Sequence, residues 1–259
     1  MNAGRTTLTI DGGVARITFD RPETMNAMTW SMYDEFEEHC AKLQNSPEVR
    51  VVVMRGAGGR SFIAGSDIKQ FDDFSAAEDG LAYEANANRI LDGLCAIPAP
   101  TIAAVDGLAV GGGLSFAAHC DIRIAAKGAR FGVPIARTVG NCLSMRNYAG
   151  LLAVFGEGHT KRMLLLGELI NAEELLATGF LSRLVEPEAM DETIERVVER
   201  ILGNAPLTMR TSKFAIQRIL GAAELPDGED LIRDCYGSAD FKEGITAFNE
   251  KRKPQWTGT

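Results

Sequence analysis

The chain has 259 residues, 46% of them hydrophobic and 24% charged, with a formal net charge of −8. That is enough apolar material for a sizeable core, and one principal domain with an appendage is expected. The acidic balance, without any basic block, argues against a nucleic-acid or anionic-membrane partner, since both need clustered Lys and Arg.

Residues 1–10 lack an apolar signal core, and no uninterrupted apolar run reaches the ~20 residues of a bilayer span, so a cytoplasmic location is expected. Leu8–Ile10 and Val14–Phe19, split by Asp11-Gly-Gly13, read as an opening hairpin that Arg21-Pro22 ends. From Thr29, the spacing of Tyr33, Phe36, Cys40 and Leu43 predicts an amphipathic helix. Val49–Met54 is β-branched and nearly all apolar, as a strand covered on both faces must be. A helical stretch near Glu78–Leu94, the breaker Pro98-Ala-Pro100, a strand Thr101–Val105, a helix opening at Gly112 and a strand Asp121–Ala125 continue the alternation. Repeated strand–helix units imply an α/β core. Beyond Gly156 the pattern is helical except for Leu181–Val185. Asn204-Ala-Pro206 breaks a helix centred on Ile194–Leu202, and Thr208–Leu220 predicts another. A polar loop over Gly221–Asp230 precedes one last helix, from about Leu231 to Lys251.

Five cysteines, Cys40, Cys95, Cys120, Cys142 and Cys235, are scattered without C-x-x-C spacing and read as buried free thiols. No metal site is expected, and His39 and His159 suggest none. Gly56-Ala-Gly-Gly-Arg-Ser61 fails as a dinucleotide fingerprint at its third glycine, and Gly107–Gly113 lacks the Lys-Ser/Thr ending of a P-loop. Ser66, in Ala-Gly-Ser-Asp, is not in a G-x-S-x-G elbow, so its backbone N–H is the group of interest. Two Gly-rich bends, Ser61–Lys69 and Val105–Leu114, each follow an apolar run and offer free N–H groups. Together they can clamp one anionic oxygen, with the helix at Gly112 aiming its positive end at it.

Four segments in order carry a resemblance over nearly the whole chain: Arg21-Pro-Glu-Thr-Met-Asn-Ala-Met28, Ala64–Lys69, Gly111-Gly-Gly113 and Phe248-Asn-Glu-Lys-Arg-Lys253. The chain resembles the crotonase (enoyl-CoA hydratase/isomerase) superfamily. The resemblance implies an α/β spiral of strand–strand–helix turns over residues 1–201 and a helical trimerisation region over 202–259, giving a homotrimer or a dimer of trimers. It implies an acyl-CoA substrate, with coenzyme A arriving as part of the thioester and no permanently bound cofactor. The oxyanion donors fall on the N–H groups of Ser66 and Gly112. Met25 and Ala27 line the CoA channel, Ala64, Asp67 and Ile68 border adenine and pantetheine, and Lys69, Phe248 and Lys251 approach the phosphates and adenine, the last two from the same or a neighbouring subunit.

The family's two water-holding glutamates are replaced by Ser115 and Ile135, neither of which titrates near neutral pH. Ser115 reads either as orienting a water or substrate atom or as a packed helix residue, and Ile135 as wall. Downstream, Arg137, Thr138, Asn141 and Tyr148 are the polar candidates. Asn141 can orient a carbonyl or carboxylate, though it cannot transfer a proton. Arg137 suits a carboxylated acyl group but reads more readily as surface, where arginine usually lies. Glu84, on the helix that covers the acyl pocket in the family, is the nearest carboxylate, and His119 reads as structural. Three functions stay open: an enolate-stabilising hydratase or isomerase, a decarboxylase of a malonyl-type thioester, and a non-catalytic acyl-CoA binder.

Overall fold

The computed structural model describes residues 3–222 and 225–259; the reading of Met1 and Asn2 at the N-terminus, and of positions 223 and 224 in the Gly221–Asp230 loop, lies outside them. The expected hairpin is formed by β1 (Arg5–Asp11) and β2 (Val14–Asp20), paired antiparallel. Helix α1 (Trp30–Gln44) follows, with the Thr29 side chain capping it by accepting the Met32 N–H at 3.3 Å.

Three strand–strand–helix turns come next: β3 (Val51–Gly56), β4 (Ser61–Ile63) and α2 (Ala77–Cys95); β5 (Thr101–Val105), β6 (Leu108–Val110) and α3 (Gly112–His119); β7 (Ile122–Ala126), β8 (Arg130–Gly132) and α4 (Met145–Leu165). The chain closes with β9 (Ile170–Asn171), α5 (Ala172–Ala177), β10 (Arg183–Val185), α6 (Met190–Leu202), α7 (Pro206–Leu220), α8 (Glu229–Tyr236) and α9 (Ala239–Asn249). The first strand of each turn joins one sheet, in the order β1-β2-β3-β5-β7-β10, and the second joins another, β4-β6-β8-β9. From β2 onward the larger sheet is parallel, as are β4, β6 and β8. This is the spiral of strand–strand–helix turns that the resemblance implies.

The all-apolar β3 is explained by two cores. Val52 and Met54 face the main core with Phe36 and Ile63, whereas Val51 and Val53 face α6 through Ile194 and Val198. Each such side chain contributes about 1.5–3 kcal/mol of burial.

Several elements differ from the sequence reading. Strands of the second sheet are three residues or fewer, too short for an alternation to show. Helix α4 starts at Met145, well before Gly156, because Ser144 caps it; Gly156, at φ +67°, bends it midway. The single last helix is two, α8 and α9, since Ser238 accepts the Phe241 N–H at 3.0 Å and caps a new start after Gly237. All five cysteines are free, with Cys40 and Cys120 buried and the other three partly so. Among the described residues, no helix is long and apolar enough to cross a membrane and no group of side chains is arranged to hold a metal.

Candidate active site

Because β4 and β6 run parallel as neighbours, their C-terminal ends emerge side by side, and the turns that follow are those singled out in the sequence. Gly65 and Gly111 sit at φ +104° and +56°, so both turns use backbone open to glycine, and a β-carbon on Gly111 would lie 3.6 Å from Gly65 Cα. The residues flanking Ser66 are tied to Met28: the Met28 N–H donates to Gly65 O at 2.9 Å and the Asp67 N–H to Met28 O at 2.8 Å. Among the described residues no protein acceptor takes the N–H of Ser66 or of Gly112. Gly112 is the first residue of α3, where unsatisfied N–H groups and the positive end of the helix dipole coincide.

The Arg21–Met28 segment braces these turns. Asn26, fully buried at φ +58°, donates through Nδ2 to Ala57 O (3.0 Å) and Ser61 O (2.9 Å) and accepts the Arg21 N–H at 3.0 Å. The Arg21 guanidinium bridges Asp67 at 2.7 Å.

Both turns open on a cavity of about 530 Å³. Its walls include Ser66, Gly112, Ser115 and Asn141, and also Met25, Ala27, Ala64, Asp67, Ile68, Lys69 and Phe248. Ile135 and Thr138 line it too. Lys251 is the exception among the expected binding residues. The chain reverses after α9, with Lys251 at φ +56° donating its N–H to Phe248 O, so its side chain is exposed and away from the cavity of its own chain. Arg137 is exposed and Tyr148 hydrogen-bonds the Leu143 N–H; neither lines the cavity. His119 is structural, its Nδ1 bonded to Ser115 O at 2.8 Å and its proton affinity lowered by burial.

Among the described residues, two carboxylates line the cavity, Asp67 and Glu84. Asp67 is committed to Arg21. Glu84, on α2, is 2% exposed, accepting the Ser144 N–H (2.7 Å) and the Tyr236 O–H (3.0 Å), and faces no ion-pair partner among the described residues. Burial pushes its carboxyl up to about 7, against the opposing pull of those hydrogen bonds. Asn141 donates to Tyr236 Oη at 3.1 Å, so Asn141, Tyr236 and Glu84 form one chain.

Beside it stands a second polar cluster, the rings of Tyr83 and Tyr236 lying 6.3 Å apart. The Ser66 hydroxyl lies 2.9 Å from Tyr33 Oη and 2.8 Å from Tyr83 Oη. Sequence reasoning missed Tyr33, Tyr83 and Tyr236 as site residues, because a tyrosine on the apolar face of a helix is indistinguishable there from core. The one available signal was that a buried phenol needs a hydrogen-bond partner.

Comparison with known proteins identifies the family. The family model described as "Enoyl-CoA hydratase/isomerase" matches residues 9–259. The chain is 33% identical over 246 residues to a short-chain-enoyl-CoA hydratase of Clostridium acetobutylicum, covering 94% of each. It is similar to the crystal structure of an enoyl-CoA hydratase/carnithine racemase from Magnetospirillum magneticum, with a TM-score of 0.80 at 34% identity over 100% of this chain and 97% of that one. A methylmalonyl CoA decarboxylase complexed with 2S-carboxypropyl CoA superposes with a TM-score of 0.89 at 27% identity, over 100% of both chains. With its spiral fold and a family match over nearly its whole length, this chain belongs to the enoyl-CoA hydratase/isomerase family.

Proposed function

We propose that this family member moves a proton along the acyl chain of an acyl-CoA thioester, shifting a carbon–carbon double bond. Glu84 is the proton carrier, and the N–H groups of Ser66 and Gly112 hold the enolate oxygen. One observation carries this reading: a buried carboxyl near 7 lines the same cavity as both turns, while the only other lining carboxylate among the described residues is ion-paired. In the step, Glu84 removes a proton from C2 of a 3-enoyl thioester. The C–H electron pair becomes part of a C1–C2 double bond, and the thioester oxygen takes the charge. Return of the proton to C4 leaves the double bond at C2–C3. A base near neutral suits both halves of such a transfer. Hydration of the family type uses two carboxylates, and Ser115 and Ile135 supply neither. In this reading Asn141 positions Tyr236 and through it Glu84, Ser115 shapes the acyl end, and Met25 to Lys69 with Phe248 form the CoA channel.

The test is incubation with 3-enoyl and 2-enoyl thioesters, read by mass spectrometry and enoyl absorbance. The reading expects absorbance to change at constant mass; a gain of water would replace it with hydration. A second reading, decarboxylation of a malonyl-type thioester, is favoured by the high TM-score to the methylmalonyl CoA decarboxylase. It is weakened by Arg137, the residue matched to a carboxylated acyl group, standing off the cavity. Release of carbon dioxide would establish it, and binding of every thioester without turnover would leave an acyl-CoA binder. For assembly, residues 202–259 are the proposed self-association region, with Leu207, Ile216, Ile219 and Leu220 of α7 all exposed.

A further inference from the structure

The hydroxyls of Tyr33, Ser66 and Tyr83 can be counted. Two hydrogen bonds join them, Tyr33 to Ser66 at 2.9 Å and Ser66 to Tyr83 at 2.8 Å. Each hydroxyl has one hydrogen, and each bond uses one, whichever way it points. One hydrogen is therefore left over in every arrangement. Among the described residues, neither phenol has another hydrogen-bond partner. Tyr33 is buried and Tyr83 half-buried, and loss of solvent raises the proton affinity of each, Tyr33 to about 12, so both keep their protons at neutral pH. A buried O–H without an acceptor is costly, by about 1–3 kcal/mol. All three residues line the cavity, so the leftover hydrogen is available to whatever fills it, water or the acyl oxygen of a bound thioester.

The position of that hydrogen follows from the two turns. Ser66 carries one arm of the clamp. Tyr33 Oη stands beside the other: a β-carbon placed on Gly112 would lie 3.1 Å from it. Tyr33 packs against Trp30 and Phe116 and Tyr83 against Phe71, Phe74 and Tyr236, so the distance to Gly112 is what distinguishes the two phenols. Either hydroxyl of each pair can donate, and one of the allowed orders runs from Tyr83 to Ser66 to Tyr33 and out into the cavity. We propose that Tyr33 gives the leftover hydrogen to the same thioester oxygen that the Ser66 and Gly112 N–H groups bind, as a third, side-chain donor. Ser66 Oγ and Tyr83 are positioning residues that fix its direction. The inference rests on the clamp reading above and adds to it a substrate-touching group outside the two backbone donors.

Infrared difference spectroscopy of bound butyryl-CoA labelled with carbon-13 at its carbonyl reads the hydrogen bonds on that oxygen directly, without turnover. In the unmodified protein the carbonyl band moves to lower frequency on binding. In Tyr33→Phe, part of that shift is lost with little change in Kd, and exchange of the C2 hydrogen with heavy water slows by about 10²-fold, as for loss of one oxyanion donor. Ser66→Ala keeps its N–H but loses the linking hydroxyl, and Tyr83→Phe removes the outer end; each loses a smaller part of the shift. If Tyr33→Phe does not fold, Ser66→Ala decides by the same band. A carbonyl frequency unaltered by these substitutions overturns the third donor and leaves the two-arm clamp standing. No shift even in the unmodified protein overturns the clamp itself, and the third donor with it.

Discussion

Glu84→Gln should stabilise this protein progressively, relative to the unmodified chain, as pH rises. The side chain is 2% exposed, and burial lifts its carboxyl from 4.5 to about 7. That displacement corresponds to about 3 kcal/mol between the two protonation states. The folded-state value lies above the unfolded one. The stability associated with a protonated Glu84 is therefore fully present below about 4.5 and is lost as pH rises through about 7. Glutamine does not titrate, and its side-chain oxygen can still accept from Tyr236. The assay is urea unfolding of both proteins at intervals between pH 4.5 and 8. The other carboxylates titrate alike in the two proteins and cancel in the difference. The unfolding free energy of Glu84→Gln minus that of the unmodified protein should climb by about 3 kcal/mol across this range. A pH-independent difference would refute the reasoning, since Glu84 would then titrate alike in the folded and unfolded chains. Activity should move the other way, falling by about 10²–10⁴-fold when the proton carrier is lost.

Three other substitutions probe different layers of the account. Gly112→Pro removes one N–H from the clamp at a helix position that tolerates proline, and kcat should fall by about 10²–10³-fold with helical circular dichroism retained. Asn26→Leu deletes three hydrogen bonds of a fully buried side chain, to Arg21, Ala57 and Ser61, and should cost about 3–5 kcal/mol in chemical denaturation. Ile219→Glu, on the exposed apolar face of α7, should shift sedimentation toward the monomer while the site residues keep their fold.

What could be read from the sequence follows from where each signal lives. The hairpin, α1, β3 and the turn at Gly112 were legible because periodicity, β-branching and glycine act over a few adjacent residues. The lining by Met25, Ala64, Asp67 and Phe248 came from the resemblance, as their spacing alone carries no chemistry. The second sheet escaped, because a strand such as Ser61–Ile63 is only three residues long and its partner Leu108–Val110 is far along the chain. The split between α8 and α9 depended on one serine hydroxyl choosing to cap. The polar clusters were hardest to see. Glu84 looked like any helix carboxylate until Ser144 and Tyr236, 60 and 152 residues away, were placed against it. Tyr33 and Tyr83 looked like core until both met the Ser66 hydroxyl.

Stabilisation of a thioester enolate by the Ser66 and Gly112 turns is the proposed core of the chemistry. The most direct measurement is exchange of the C2 hydrogens of butyryl-CoA in heavy water, followed by mass spectrometry alongside its binding affinity. The account predicts uptake of deuterium at C2 without any other change to the thioester, since enolate formation needs neither a double bond nor a leaving group. Tight binding of butyryl-CoA with no deuterium uptake over many enzyme equivalents would contradict it.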